Sequence, residues 1–395
     1  MSELPSVTNH QSISQQKPRT RRSHNRDKNV YEAALDRIRL IFDTHEKVIV
    51  SFSGGKDSTV IAHLAREVAA EKKRSFYLFY LDQEIEYSST IDFVDEMMKM
   101  EYVIPLWFQI PCLLTNTSSM TQHVIDPWNP DKKHLWIRGQ KIKATKAVTW
   151  DVSGVPFTFP ERQMYGFYGL VQCMEALFRG GDGMPAQLIG LRADESLDRL
   201  RAVTKNPGIP GIAWSTRGKS AVKYYPIYDW QFRDIWIYLG KNNLPYNRMY
   251  DYFHLKGYTA GKMRLSNLLH EKAYECIADL QEFEPKLYDR MIDRCMGIAT
   301  AQEYAGRGGA IFKATQLPRR FKAWTEYRDY LLDTLPNQEH ADIFRRRFEK
   351  QFQNDYVVRQ QVNRILIYDV NNFKKINNLD YDPAEKARER WMVEF

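Results

Sequence analysis

Cysteine is scarce in this chain: four residues in 395, at Cys112, Cys173, Cys276 and Cys295, with no Cys-x-x-Cys pair among them. That spacing offers neither a disulfide framework nor a seat for an iron–sulfur cluster, so no such cluster is expected and a reducing, cytoplasmic setting fits best. Long apolar runs are missing as well. No stretch of about 18 apolar residues occurs, which argues against a membrane span. The start, Met1-Ser2-Glu3-Leu4-Pro5, has no apolar segment of the secretory kind. Two common nucleotide motifs, Gly-x-x-x-x-Gly-Lys-Ser/Thr and Gly-x-Gly-x-x-Gly, are also absent.

What is present is enough for a large core. With 43% hydrophobic residues, the chain can build one large α/β domain and a second, smaller one. The net charge of +8 suits a phosphate-rich ligand or nucleic acid, although ordinary enzymes often carry as much.

The chain is organised around Val48-Ile49-Val50-Ser51-Phe52-Ser53-Gly54-Gly55-Lys56-Asp57-Ser58-Thr59-Val60-Ile61-Ala62. An apolar β-branched run stops at Ser-Gly-Gly, and a helical pattern opens after Lys-Asp-Ser. A strand, a tight turn and a helix N-terminus bring free amides and the positive end of the helix dipole to one place, where an anion is welcome. Gly54 and Gly55 let the backbone approach a phosphate. Ser51, Ser53 and Ser58 supply hydroxyls, and Lys56 supplies charge. Asp57 would repel a bare phosphate, so it is expected to cap the helix or hold a magnesium ion.

Residues 1–28 are polar and basic, with Lys17, Arg19, Arg21, Arg22, Arg26 and Lys28. They read as a disordered tail or as an arm for nucleic acid or an acidic partner. A helix is expected from Val30 to Ile41. Strands follow at Phe76–Leu81 and Tyr102–Phe108, with a helix between them through Ile91 and Met97. Strands alternating with helices predict a doubly wound parallel sheet, with the ligand at the strands' carboxyl ends. Asp82 falls at such an end, either beside the ligand or as a plain turn residue. Residues 110–160 read as an irregular insertion or lid. Its basic cluster (Lys132, Lys133, His134, Arg138, Lys141, Lys143, Lys146) is interleaved with Trp128, Trp136 and Trp150, and either stacks single-stranded bases or is solvated.

A second apolar run, Ala186-Gln187-Leu188-Ile189, ends in Gly190-Leu191-Arg192-Ala193-Asp194-Glu195-Ser196, followed by Arg199. Arg192 and Arg199 are the expected anion binders, since a guanidinium grips phosphate or sulfate at two points. Asp194 and Glu195 are expected to orient them. In Tyr225-Pro226-Ile227-Tyr228-Asp229-Trp230 and its continuation, Trp230 and Trp236 read as packing anchors and Asp229 as a helix N-cap region. Beyond about residue 260 helical periodicity dominates, with candidate helices near 265–281, 284–296, 320–334, 338–353 and 355–368.

The first stretch resembles the Ser-Gly-Gly-x-Asp-Ser signature of the PP-loop ATP pyrophosphatases, in the adenine nucleotide alpha hydrolase-like superfamily. The segment from Leu81 to Tyr87, the Gly190–Arg199 run and the Tyr225–Trp236 run are similar to phosphoadenosine phosphosulfate (PAPS) reductases. The end of the chain resembles a branch of that family with a helical C-terminal extension. The resemblance implies a PP-loop α/β domain over 29–260, a helical domain over 261–395, and an adenine nucleotide, ATP or PAPS, with Mg²⁺. It places the phosphates on the glycine loop and adenosine near Asp82. It also suggests a ParB-like protein partner and a nucleic-acid or small-molecule acceptor. The reductases' Glu-Cys-Gly-x-His motif has no counterpart here. The expected activity is therefore ATP pyrophosphatase chemistry that adenylates a substrate, with Lys56, Asp57 and Arg192 catalytic. A sulfonucleotide reductase with a relocated cysteine and a non-catalytic, nucleotide-dependent DNA-binding regulator are the alternatives.

Overall fold

A computed structural model describes residues 28–140 and 183–259 almost throughout, most of 263–300, 316–372 and 375–389, and short pieces within 148–178. The tail before Lys28 lies outside the described residues, as do Lys141, Lys143, Lys146, Trp150 and Cys173.

The chain opens with helix α1 (Val30–Thr44), capped by Asn29 with a reciprocal bond to Glu32, and enters strand β1 (Val48–Phe52). Helix α2 (Lys56–Lys72), strand β2 (Phe76–Leu81), helix α3 (Ser88–Met97) and strand β3 (Val103–Gln109) follow. Short strands β4 (Cys112–Thr115), β5 (Val124–Ile125) and β7 (Tyr165–Gly166) make a small separate sheet. The main sheet takes in β6 (Val148–Thr149), β8 (Ala186–Ile189), β9 (Ser215–Arg217) and β10 (Val222–Tyr224) in the order β6-β3-β2-β1-β8-β10-β9. All neighbours in it are parallel except β9 on β10.

Strand alternation decides what lies on each side. Val48, Val50 and Phe52 pack with α1, α2 and α3, whereas Ile49 faces the other way, toward Phe79, Phe108, Leu170 and Met174. The sheet is thus covered on both faces, as the βαβ pattern requires.

Helix α4 (Leu197–Thr204) follows β8, and α5 (Phe232–Lys241) and α6 (Met249–Leu255) follow β10. The N-cap of α5 is Gln231 in a capping box with Asp234, so the expectation for Asp229 is corrected. Asp229 instead makes two 2.7 Å bonds to Arg37 of α1, a buried pair that ties the first helix to the end of the sheet. Trp230 is buried, with its indole N–H on the Val30 carbonyl, an anchor as expected.

The helical region carries α7 (Tyr274–Phe283), α8 (Pro285–Arg294), α9 (Trp324–Asp333), α10 (Gln338–Phe348) and α11 (Asp355–Leu366). Of the helix expected near 265–281, α7 is the part described; at 267–269 the chain instead turns, with Asn267 accepting from the Leu269 amide, a local bond that competes with helix. Helices α7 and α8 share a core with the α/β part. Leu268, Ile277, Leu280, Met291 and Ile298 pack with Ile85, Tyr87, Ile137, Tyr250 and Phe253, so one apolar cluster runs across residue 260. Helices α9 to α11 have cores of their own, around Phe344 and Val362.

Candidate nucleotide site

The chain moves outward from β1 to β2 and β3 on one side, then returns to β8 and β10 on the other. The strand order therefore reverses between β1 and β8, the point where sheets of this kind take a ligand in a crevice beyond the carboxyl ends of their strands. The glycine loop leaves β1 at this point, and the Gly190–Arg192 turn leaves β8 beside it.

Gly54 sits at φ +72°, and a β-carbon there would come within 2.9 Å of the Thr90 methyl, so the tight turn admits glycine alone. Gly55 then caps α2 without a side chain, so it takes up none of the first-turn amides of Lys56, Asp57 and Ser58. The loop is braced by its own hydroxyls. Ser58 Oγ donates to the Gly55 carbonyl at 2.9 Å and lies 3.1 Å from Ser53 Oγ. Gly190 is fixed by contact: a β-carbon there would press on the Asp57 carbonyl at 2.8 Å.

Asp57 joins the two halves. One carboxylate oxygen meets Lys56 Nζ at 2.9 Å and the other accepts from Arg192 Nε at 2.5 Å. Arg192 in turn donates through Nη1 to Asp194 at 2.8 Å. Lys56 and Arg192 are both buried, and their shared pairing with Asp57 brings the two cations together where α2 and the turn after β8 meet. Asp57 lies within the first turn of α2, so it does not cap that helix. Arg199 stands apart. It pairs with Glu195 at 2.9 Å, and its side chain is 40% exposed. Both acids hold the arginines expected of them.

Ser51 points to the face of the sheet away from α2, where its hydroxyl accepts from Gln187 at 2.9 Å. Asp82 is fully buried at the end of β2. Its carboxylate accepts from Trp107, Gln109 and the Glu84 amide at 2.8 to 2.9 Å and pairs with Arg138 from the insertion. These bonds tie Asp82 to β3, to its own turn and to the insertion.

Several site residues escaped the sequence reading. Tyr250 of α6 presents its hydroxyl to the Lys56 amide at 3.0 Å, and Asn247 bonds Thr90 at 2.8 Å and the Gly54 carbonyl at 3.3 Å. Their signal was the Leu244-Pro245-Tyr246-Asn247 segment, which reads as packing. Glu84 is fully buried at φ +67°, accepting from the Trp128 and Ile137 amides at 3.0 Å and from Arg294 of α8 at 3.3 Å. The strained backbone marks a place the tertiary structure imposes.

A family model described as phosphoadenosine phosphosulfate reductase domain matches residues 47–260, more than half of the chain. The chain belongs to the PAPS reductase family. A second model, a domain of unknown function (DUF3440), matches residues 257–371. The chain is 26% identical over 325 residues to "Uncharacterized protein YbdN" of Escherichia coli K12, covering 78% of this chain and 76% of that one. It is 38% identical over 76 residues to an adenosine 5′-phosphosulfate reductase of Neisseria meningitidis, which covers 19% of this chain and 28% of that protein. Among solved structures, the PAPS reductase of Candida auris, in a phosphate complex, matches at 14% identity with a TM-score of 0.32, over 60% of this chain and 88% of that one.

For a PAPS reductase family member the thiols matter. Cys112, Cys276 and Cys295, the three described, are all buried, and burial pushes the Cys112 thiol well up and that of Cys295 to about 12. Neither Cys112 nor Cys295 is therefore a ready nucleophile at neutral pH. Among the described residues no group of three or more His, Cys, Asp or Glu side chains is arranged to hold a metal. Magnesium bound through one carboxylate and the phosphates of a nucleotide needs no such group. Asp57 fits that mode, although both its oxygens already carry ion pairs. No helix among the described residues is long and apolar enough to cross a membrane.

Proposed function

We propose that this PAPS reductase family member binds ATP in the β1–β8 crevice and cleaves it between the α and β phosphates, adenylating an acceptor. The observation that carries this reading is the convergence of Lys56 and Arg192 on Asp57 at the switch point of the sheet. An acceptor oxyanion attacks the α-phosphorus, the bond to the bridging oxygen breaks, and pyrophosphate leaves with that electron pair. Lys56, Arg192 and the loop amides hold the phosphates and offset the developing charge. A magnesium ion held by Asp57 would add further neutralisation. The three described cysteines favour this chemistry over thiol attack on a sulfonucleotide.

Several described basic residues pair within the protein: Lys132 with Asp126, Arg138 through Nη2 with Asp82, Arg345 with Asp333 and Asp342, and Arg347 with the carbonyls of Asp369 and Val370. Those pairings leave these particular cations less available to a nucleic-acid backbone, and we take a small molecule as the acceptor.

Incubation with α- and γ-labelled ATP and separation of the phosphate products tests the proposal. AMP, or an adenylated acceptor, and pyrophosphate are expected, and are lost in Lys56→Ala and Asp57→Ala. Orthophosphate and ADP as the only products would refute it, as would sulfite from PAPS with no attack on ATP.

A further inference from the structure

One strand out from the glycine loop, a second set of polar groups lacks partners. Tyr80 lies opposite Phe52 in the β2–β1 pairing, at the carboxyl end of its strand. Its hydroxyl is buried and bonds to nothing among the described residues. Its ring stands edge-on to Trp107, whose indole donates to Asp82 at 2.8 Å. Asp82 holds Arg138, brought in by the insertion, and the guanidinium lies over Trp128 at 5.0 Å. Arg138 Nη2 is taken by Asp82. Nε and Nη1 are buried and meet no acceptor among the described residues. Donors buried in this way are costly unless an acceptor meets them, so the cluster is built to receive one.

We infer that Tyr80 and Arg138 form an oxyanion subsite at the end of β2, which seats a carboxylate, sulfate or phosphate group of a ligand lying beside the nucleotide phosphates. The unpartnered groups are donors, and an arginine held by Asp82 and stacked on Trp128 is already oriented to donate. Glu86 supports the assignment. Burial, then the nearby Asp82, pushes its carboxyl up to about 8, so at neutral pH it faces an incoming anion uncharged. Arg138 and Asn267 are the other groups acting on it, and both pull the value down. The inference rests on the nucleotide reading only for the ligand's neighbour. Such a group comes either from the acceptor or from the nucleotide itself, which in PAPS carries an extra phosphate on the ribose.

Sulfate titrated into the full-length protein, by calorimetry and by the fluorescence of the adjacent tryptophans, tests it. Two sites are expected. Lys56→Ala removes the loop site and leaves the Arg138 site. Arg138→Lys, which keeps a cation for Asp82, weakens the second site about tenfold and leaves the first, equivalent to losing one charge-assisted hydrogen bond. Tyr80→Phe, which removes a single hydroxyl, keeps the inference testable if the arginine variant misfolds. Sulfate binding that persists under saturating ATP assigns the subsite to the acceptor, and displacement by PAPS alone assigns it to the nucleotide. Unchanged sulfate binding in both Arg138→Lys and Tyr80→Phe overturns the inference. A single sulfate site, lost only in Lys56→Ala, leaves the nucleotide reading standing without the inference, and a single site lost only with Arg138→Lys does the reverse.

Discussion

Asp57 does at residue scale what neither cation does alone, because it holds Lys56 and Arg192 at a fixed separation before a phosphate arrives. Tyr250 works on the same loop from outside, accepting from the Lys56 amide. Tyr250→Phe should lower folding stability by about 1 kcal/mol in urea titrations. The deficit should vanish at saturating ATP, since a phosphate oxygen can then accept from the freed amide. Glu86 sets a pH dependence. Its folded pKa of about 8 lies above its ordinary 4.5, so the folded state binds the proton more tightly. Stability therefore falls as pH rises from about 4.5 to 8, by at most about 1.4 kcal/mol per pH unit. Glu86→Gln should flatten that slope, read as urea midpoints at stepped pH; an unchanged slope would rule out Glu86 as its source. At this scale the sequence exposed Lys56, Arg192 and their acids by motif. Tyr250 and Glu84 stayed hidden because their partners lie 194 and 210 residues away.

Close approach is what matters between elements. The turn after β8 meets the first turn of α2 with no room for a side chain, so Gly190→Ala should cost about 1–3 kcal/mol and displace Asp57. Equilibrium denaturation and nucleotide affinity should fall together. The Glu84–Arg294 pair crosses from the strand end to α8, fully buried on both sides. Arg294→Ala leaves a buried carboxylate uncompensated and should cost about 3–5 kcal/mol, whereas Glu84→Gln combined with Arg294→Met should recover most of it. A double-mutant cycle in urea measures the coupling. β2 and the first helices were legible because their apolar periods are unbroken. The turn at 267–269 was not, because one asparagine's bond to a nearby backbone amide overrides a helical pattern.

On the scale of the whole molecule, the C-terminal region divides by its packing. Helices α7 and α8 complete the core beneath Tyr250 and Phe253, and α9 to α11 close on themselves. Removing residues 317–395 should leave the melting transition of the remainder in place. Removing 264–395 should lower stability by at least about 3 kcal/mol, since Tyr87 and Phe253 lose their apolar cover. Calorimetry of the two truncated chains distinguishes these outcomes.

By itself the sequence determined the parallel sheet, the glycine loop and the arginine turn, because strand period, turn chemistry and helix capping are local properties of the chain. Only the tertiary structure decided that Asp57 bridges two cations, that Asp82 serves the insertion, and that α8 reaches the strand end. Each of those depends on groups far apart in sequence meeting where water is excluded, and no local pattern encodes which of them will meet.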